Sequence, residues 1–106
     1  MSHPLSEKPL VILSAHEIPL QELEGWTISE DQLSLYKQFK FKDFEQAFAF
    51  MTRCFDPIEA MNHHPDWSNV YGNVNVTLNT HDVGGITYKD IALAKAMNEV
   101  MTQVVK

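Results

Sequence analysis

The fold is decided by residues 33–55, which read LSLYKQFKFKDFEQAFAFMTRCF. Apolar residues first alternate with period two, as in a half-buried strand. They then recur at helical spacing, and Asp43 with Gln46 has the spacing of a capping box. A strand that leads directly into an amphipathic helix predicts a sheet with a helix packed on it. The strand set is Leu33, Leu35, Phe39 and Phe41, and the helix set is Phe44, Ala47, Phe48, Met51 and Phe55.

A proline at position 57 falls inside this predicted helix, where its ring removes a backbone hydrogen bond. The segment Asp56-Pro57-Ile58-Glu59 also reads as a helix start, with an N-cap, a first-turn proline and an acid at the third position. We therefore expect a kink or a restart at Pro57 rather than the end of the helix.

The second half of the chain repeats the order strand, strand, helix. Valines and a leucine alternate over residues 74–78, and Gly72-Asn73 before them predicts a hairpin turn. A last helix is predicted from Thr87 towards Lys106, with Asp90 at the capping-box position. Its apolar set is wider than one sheet-facing stripe needs, which favours a second buried face and hence an oligomer. That set is Ile91, Leu93, Ala94, Met97, Val100, Met101 and Val104.

Before the strand predicted over residues 33–41, the sequence signals for secondary structure are weaker. We predict a flexible N-terminal tail over residues 1–13 and one domain over residues 14–106. Ser14 and Glu17 have capping-box spacing for a short helix ending near Leu23, although Pro19 weakens it. A short strand is expected over residues 26–29. The predicted fold is α+β, in the order ββαββα: a four-stranded antiparallel sheet covered on one face by helices, with a short extra N-terminal helix.

Composition narrows the class of protein. The chain has 106 residues, 44% hydrophobic and 21% charged, which suits one globular domain and excludes a disordered or membrane-spanning chain. Its net charge of −6 disfavours direct binding to nucleic acid. The single cysteine, Cys54, cannot form an intrachain disulfide, and no segment resembles a signal peptide. We expect a cytoplasmic protein, with a nuclear location also open.

Three histidines surround the predicted hairpin: His63 and His64 before it and His81 at its end. Pro65 forces His64 into an extended conformation, so the two neighbouring rings diverge and should do different jobs. One interpretation is a polar helix end, in which the imidazoles bond to carbonyl groups. A metal site is disfavoured, because the spacing lacks a His-x-His or His-x-x-x-His pair.

Acid–base chemistry without a metal is the third interpretation. Imidazoles titrate near neutrality, so a pair of them can offer a base and an acid at the same pH. Glu59 and Asp90 could orient the rings, and Trp67 could provide a flat wall for a flat heterocycle. Helix capping by Asp90 and core packing by Trp67 remain open as alternatives.

The same segment resembles one family. The run His63-His64-Pro65-Asp66-Trp67, with Thr80-His81 and Asp90 after it, is similar to the pterin-4a-carbinolamine dehydratases. The resemblance extends upstream through Gly25-Trp26 and residues 37–44 to cover nearly the whole chain beyond the first fifteen residues. It implies the ββαββα fold, a dimer or tetramer, and removal of water from a 4a-hydroxytetrahydropterin to give quinonoid dihydropterin. It implies neither metal nor cofactor.

The resemblance also assigns roles. It implies a catalytic set of His63, His64 and His81, in which His63 and His81 are the acid–base pair and His64 binds and positions the pterin. The residues implied to support the pocket are Glu59, Trp67 and Asp90, and those implied to bind substrate are Asn62, His63, His64, Asn79, Thr80, His81 and Asp82. The chain departs from animal members at Asn62, where they often have aspartate, and at Lys89, where they have arginine. Pro57 is a third departure.

Two other functions remain open at this point. Animal members also bind a homeodomain transcription factor and stabilise its dimers, so a non-catalytic binding module is the alternative function. The chain could instead hold another pterin without dehydrating it. The substituent at C6 of the pterin is not specified by the residues named above.

Overall fold

Two α-helices pack on one face of a four-stranded antiparallel sheet in the computed structural model, which describes residues 9–105. The strands have the order β1-β2-β4-β3, and the predicted fold class is confirmed. Neither α-helix in this part of the chain has the length and apolar character of a membrane span. The elements are β1 (Thr27–Ile28), β2 (Leu35–Lys40), α1 (Phe44–Met61), β3 (Asp66–Val70), β4 (Asn73–Leu78) and α2 (Tyr88–Val105).

The switch from strand to helix occurs where the sequence predicts it. Leu35 and Phe39 of β2 are fully buried, and they lie against the buried apolar face of α1 in one core. The Asp43 carboxylate accepts a hydrogen bond from the backbone N–H of Gln46 at 2.9 Å and so caps α1. The Gln46 side chain accepts in return from the N–H of Lys42 at 3.2 Å. These bonds satisfy donors that the first turn of a helix leaves unpaired.

Helix α1 continues through Pro57, so the expectation that the helix does not end there is confirmed, and it does not restart at that residue. The helix ends instead at Asn62, which takes the left-handed conformation with φ 50° and ψ 47°. Its backbone N–H and that of His63 return to carbonyl groups of the last turn. Asparagine tolerates this conformation better than most residues, so Asn62 is suited to terminating the helix.

The hairpin between β3 and β4 turns at Tyr71 and Gly72, one residue earlier than predicted. The ladder ends at the pair Val70 and Asn73, so only two residues form the turn, and Tyr71 has φ 53°. Gly72 lies directly against the chain before α1, because the N–H of Phe41 donates to its carbonyl at 2.7 Å. This contact with Phe41 is one that the local pattern does not reveal, and the Asn69 side chain also donates to the carbonyls of Tyr71 and Asn73 across the turn.

The predicted N-terminal helix consists of two 3₁₀ turns, Ala15–Glu17 and Leu20–Glu22, rather than one α-helix. The capping box of Ser14 and Glu17 is present, and Pro19 stands between the turns. Residues 1–8 of the predicted tail lie outside the described residues. Leu13, its last residue, donates its N–H to the Ile86 carbonyl at 2.8 Å and packs against the core.

Of the two α-helices, α1 exposes the larger apolar surface, whereas the sequence predicted it on α2. The seven residues of the predicted apolar set on α2 are all buried in the chain's own core or packed against it, and Val105 at the end of the helix is exposed. On α1, Phe44, Phe48 and Phe55 are each about half exposed or more, and Phe44 stacks on Phe48 with ring centres 5.6 Å apart. The wide apolar set of α2 therefore serves the monomer's own core, because it covers the sheet and α1 together.

We predict that Gly72→Ala destabilises the protein by about 1–3 kcal/mol, the usual cost of overpacking. An added Cβ would lie 2.4 Å from the carbonyl oxygen of Phe41, a backbone atom that cannot move without disturbing the hairpin. Urea unfolding measures the change, with Ser68→Ala on the exposed side of the same hairpin as control. Equal stabilities for the two variants would contradict this packing.

Candidate active site

The first histidine of the predicted cluster, His63, is buried, with 8% of its surface exposed. Its Nε2 lies 2.6 Å from Oδ1 of Asp90, which is itself fully buried. The end of α1 at Asn62 brings the ring down onto the start of α2. Burial and the short distance make this a strong charge-assisted contact.

Asp90 accepts three hydrogen bonds. Besides His63, the hydroxyl of Thr80 donates to its Oδ2 at 2.8 Å and the N–H of Thr87 at 3.0 Å. Since the Thr80 hydroxyl is used in this way, the Thr87 hydroxyl, 2.7 Å away, donates to Thr80. The Thr87 oxygen also accepts from the N–H of Lys89 at 3.2 Å. Asp90 therefore caps α2 and holds His63, so the two interpretations of this residue are compatible.

The second histidine, His64, is exposed. Its Nε2 lies 3.2 Å from Oε2 of Glu59 in the last turn of α1, and more than half of each side chain is exposed. A pair so open to water contributes little to stability. It does restrict the direction of the His64 ring, whose partner, Glu59, differs from the Asp90 partner of His63.

His64 and His81 line one small cavity of about 120 Å³. The cavity lies where β2, β3 and β4 meet, on the sheet face opposite the helices, because the side chains that line it alternate with buried ones. His81 is exposed and follows Thr80, which is bonded to the carboxylate that holds His63. All three histidines are thus connected to one corner of the sheet. The lining residues are Ser34, His64, Asp66, Thr77, Asn79 and His81.

Seven of the predicted site residues do not line this cavity. His63, Thr80, Asp90 and Glu59 have the contacts described above, and the other three are Trp67, Asn62 and Asp82. Trp67 pairs with the buried Val76, so it faces the helices and packs partly buried against the core. Asn62 is an exposed helix end, and Asp82 is exposed in the turn after Thr80. The structure accounts for Trp67 by core packing and for Asn62 by its backbone conformation.

Sequence reasoning missed three lining residues, namely Ser34, Asp66 and Thr77. The spacing of the polar residues in the sequence could have identified two of them, Thr77 and Asp66. Thr77 precedes Asn79 and His81 on one face with period two, and Asp66 lies two residues after His64 on an extended segment. Ser34 comes from a different strand, so no local pattern connects it with the others.

Lys37 and Cys54, two groups outside the histidine cluster, have shifted pKa values, and neither takes part in the site. Burial lowers the pKa of Lys37, whose ammonium donates to the Glu24 carbonyl and to Asn98 and so ties β2 to α2. Burial raises the pKa of Cys54 to about 12, which makes it a poor nucleophile.

A second cavity of about 270 Å³, beside Lys42 and Arg53, lies away from the histidines. Within residues 9–105 no three His, Cys, Asp or Glu side chains are grouped to hold a metal ion.

Comparison with known proteins agrees with this geometry. A family model described as pterin 4 alpha carbinolamine dehydratase matches residues 12–100. A Mesorhizobium japonicum protein, provisionally named as a pterin-4-alpha-carbinolamine dehydratase, is 58% identical over 79 residues, or 74% of this chain and 81% of the relative. A transcriptional coactivator/pterin dehydratase from Brucella melitensis has a crystal structure that matches with a TM-score of 0.82 and 39% identity. That match covers 86% of this chain and 99% of the other.

A more distant structure shares the fold alone. It is a pterin dehydratase-like protein described as a RuBisCO assembly factor in the alpha-carboxysome, with a TM-score of 0.63 and 22% identity over 76% of this chain and 93% of that one. The family match spans most of the chain and includes the whole histidine corner. The chain therefore belongs to the pterin-4a-carbinolamine dehydratase family.

Proposed function

We propose that the protein dehydrates 4a-hydroxytetrahydropterins to quinonoid dihydropterin and water, by acid–base catalysis with histidines and without metal or cofactor. The observation that carries this proposal is the histidine corner. His64 and His81 share a cavity, and hydrogen bonds through Asp90 connect His63 to Thr80, the residue before His81. The product feeds the regeneration of tetrahydrobiopterin for aromatic amino acid hydroxylases, which is part of the same proposal.

The contact with Asp90 fixes what His63 can do. An ionised carboxylate only accepts hydrogen bonds, so the Nε2 atom of His63 carries the proton that it shares with Asp90. The other ring nitrogen, Nδ1, is then free to take a proton. The imidazolium that forms is stabilised by the buried negative charge, as in other histidine–carboxylate pairs.

In the proposed reaction, His63 removes the proton from N5 of the pterin. The electron pair of that N–H bond forms the N5=C4a double bond, and the C4a–O bond breaks. The departing oxygen takes a proton from His81 and leaves as water, while His64 positions the ring. Each proton transfer by a well-placed side chain contributes roughly 10²–10⁴-fold. Because the two transfers occur on a bound substrate, positioning supplies the rest.

We predict that His81→Ala loses most of the rate enhancement, by roughly 10²-fold or more, while the fold survives because His81 is exposed. The assay follows dehydration of freshly made 4a-hydroxytetrahydrobiopterin in the ultraviolet. His16→Ala, at an exposed histidine outside the site, serves as control. A His81→Ala enzyme as fast as wild type would contradict the role of His81 as the proton donor. His63→Ala should also lose activity, and circular dichroism separates that loss from misfolding.

We predict that Asp90→Asn changes the tautomer of His63. An amide N–H₂ would face Nε2, which must then accept, so the proton moves to Nδ1 and the base is lost. Nitrogen-15 NMR of the imidazole reports the tautomer, and activity should fall with it. The variant should also lose about 1–3 kcal/mol of stability, because a buried charge-assisted contact is replaced. An unchanged tautomer together with full activity would rule out positioning by Asp90.

We further propose that the chain forms a homo-oligomer, a dimer or a tetramer, through the exposed aromatic face of α1. Phe48, Met51, Thr52 and Phe55 line an apolar groove on that face, and large exposed apolar patches usually mark an interface. Phe48→Glu should yield monomers in sedimentation velocity, because it places a charge in the interface. Gln103→Glu, exposed on α2, should not. Unchanged assembly of both variants would place the interface elsewhere.

The non-catalytic alternative has one observation in its favour, since the similar Brucella protein is described as a transcriptional coactivator as well as a pterin dehydratase. If the well-folded wild-type protein fails to accelerate dehydration, that result would favour the partner-binding role over the enzymatic one. A cytoplasmic location, with entry to the nucleus in the case of such a partner, is part of the proposal.

A further inference from the structure

The cavity shared by His64 and His81 contains one carboxylate that the proposed chemistry does not use. We propose that this carboxylate, Asp66, recognises the 2-amino and N3–H edge of the pterin's pyrimidine ring. The inference rests on the proposed function for its substrate class, and it assigns a residue that sets specificity within the same site.

The sheet register places Asp66 at one end of the cavity. Asp66 is the first residue of β3 and lies directly opposite Thr77 of β4, which in turn lies opposite Tyr36 of β2. Side chains that face each other across an antiparallel pair have Cβ atoms about 4.5–5.5 Å apart. Asp66 and Thr77 therefore form one polar edge of the cavity.

His81, the proposed proton donor, lies at the other end of the cavity. Thr77, Asn79 and His81 follow one another with period two, so His81 is four residues beyond Thr77 along the chain. Strand β4 ends at Leu78 and His81 begins the turn after Thr80, so at about 3.3 Å per extended residue the two ends are at most roughly 13 Å apart. A flat bicyclic ring can lie between them, with N5 and C4a near His81 and the pyrimidine edge near Asp66.

The carboxylate of Asp66 is able to accept hydrogen bonds from a ligand. Its side chain is exposed and makes no hydrogen bond or ion pair with any other described residue. Among the other carboxylates near the histidines, Glu59 pairs with His64 and Asp90 already accepts three hydrogen bonds. Asp82, next to His81, does not line the cavity. Asp66 is thus the carboxylate in the cavity that is available to a ligand.

The chemistry of the pterin edge matches this acceptor. The exocyclic amine and the neighbouring N3–H point in the same direction, so together they present two parallel donors, as a guanidinium does. A carboxylate accepts such a pair of donors through both oxygens, which adds geometric specificity to the attraction. A 2-oxo ring, as in a lumazine, replaces the amine donor by an acceptor and would place two acceptors face to face.

The test compares binding of 6-methylpterin and 6-methyllumazine to wild type and to Asp66→Asn by isothermal titration calorimetry. Wild type should prefer the pterin by about tenfold or more, and Asp66→Asn should lose most of that preference. In the dehydration assay the same variant should raise KM with little change in kcat, because the contact forms equally in ground and transition states. Asp56→Asn, which removes the same charge from an exposed position on α1, should change neither.

The possible outcomes separate this inference from the proposed function. If wild type dehydrates the substrate and Asp66→Asn keeps the full preference for pterin, the role of Asp66 is overturned and the proposed function stands. If wild type fails to dehydrate but binds 6-methylpterin with a preference that depends on Asp66, the proposed function fails and the inference stands. Asp66→Ser gives the same reading if the asparagine variant misfolds, because Asp66 supports no other described side chain.

Discussion

The carboxylate of Asp90 is the group on which the site depends. It is fully buried and accepts hydrogen bonds from the His63 ring, the Thr80 hydroxyl and the Thr87 backbone. A buried charge is tolerated only when it is paired and fully hydrogen-bonded. Because these three donors come from the end of α1, the end of β4 and the start of α2, one requirement for charge compensation fixes three elements relative to each other.

The sheet supplies the other half of the site. Period two sends Val74, Val76 and Leu78 into the core, and it sends the alternating polar residues of β4 to the open face, towards His81. A shift of the register by one residue would exchange the two faces. The same constraint that fills the core thus gathers His64, Asp66 and His81 at one corner. Stability and the arrangement of the site share one physical cause.

Much of this could be predicted from the sequence, because the decisive signals are local. The change of period before Phe44 and the capping boxes with Asp43 and with Asp90 identify the two α-helices, and the three histidines identify the corner. Contacts between distant segments could not be predicted in the same way. The hairpin turn lies at Tyr71 and Gly72, where Gly72 accepts a hydrogen bond from Phe41 of a distant segment. Only tertiary packing shows that the predicted apolar set of α2 is used within the monomer and that the exposed aromatic face belongs to α1.

The central claim is that this histidine corner removes water from a 4a-hydroxytetrahydropterin. Its most direct test is the initial rate at which freshly made 4a-hydroxytetrahydrobiopterin loses water, followed in the ultraviolet with and without the wild-type protein. The account predicts a clear acceleration over buffer that is proportional to protein concentration and saturates with substrate. A rate equal to that in buffer, from protein that is folded by circular dichroism, would contradict it.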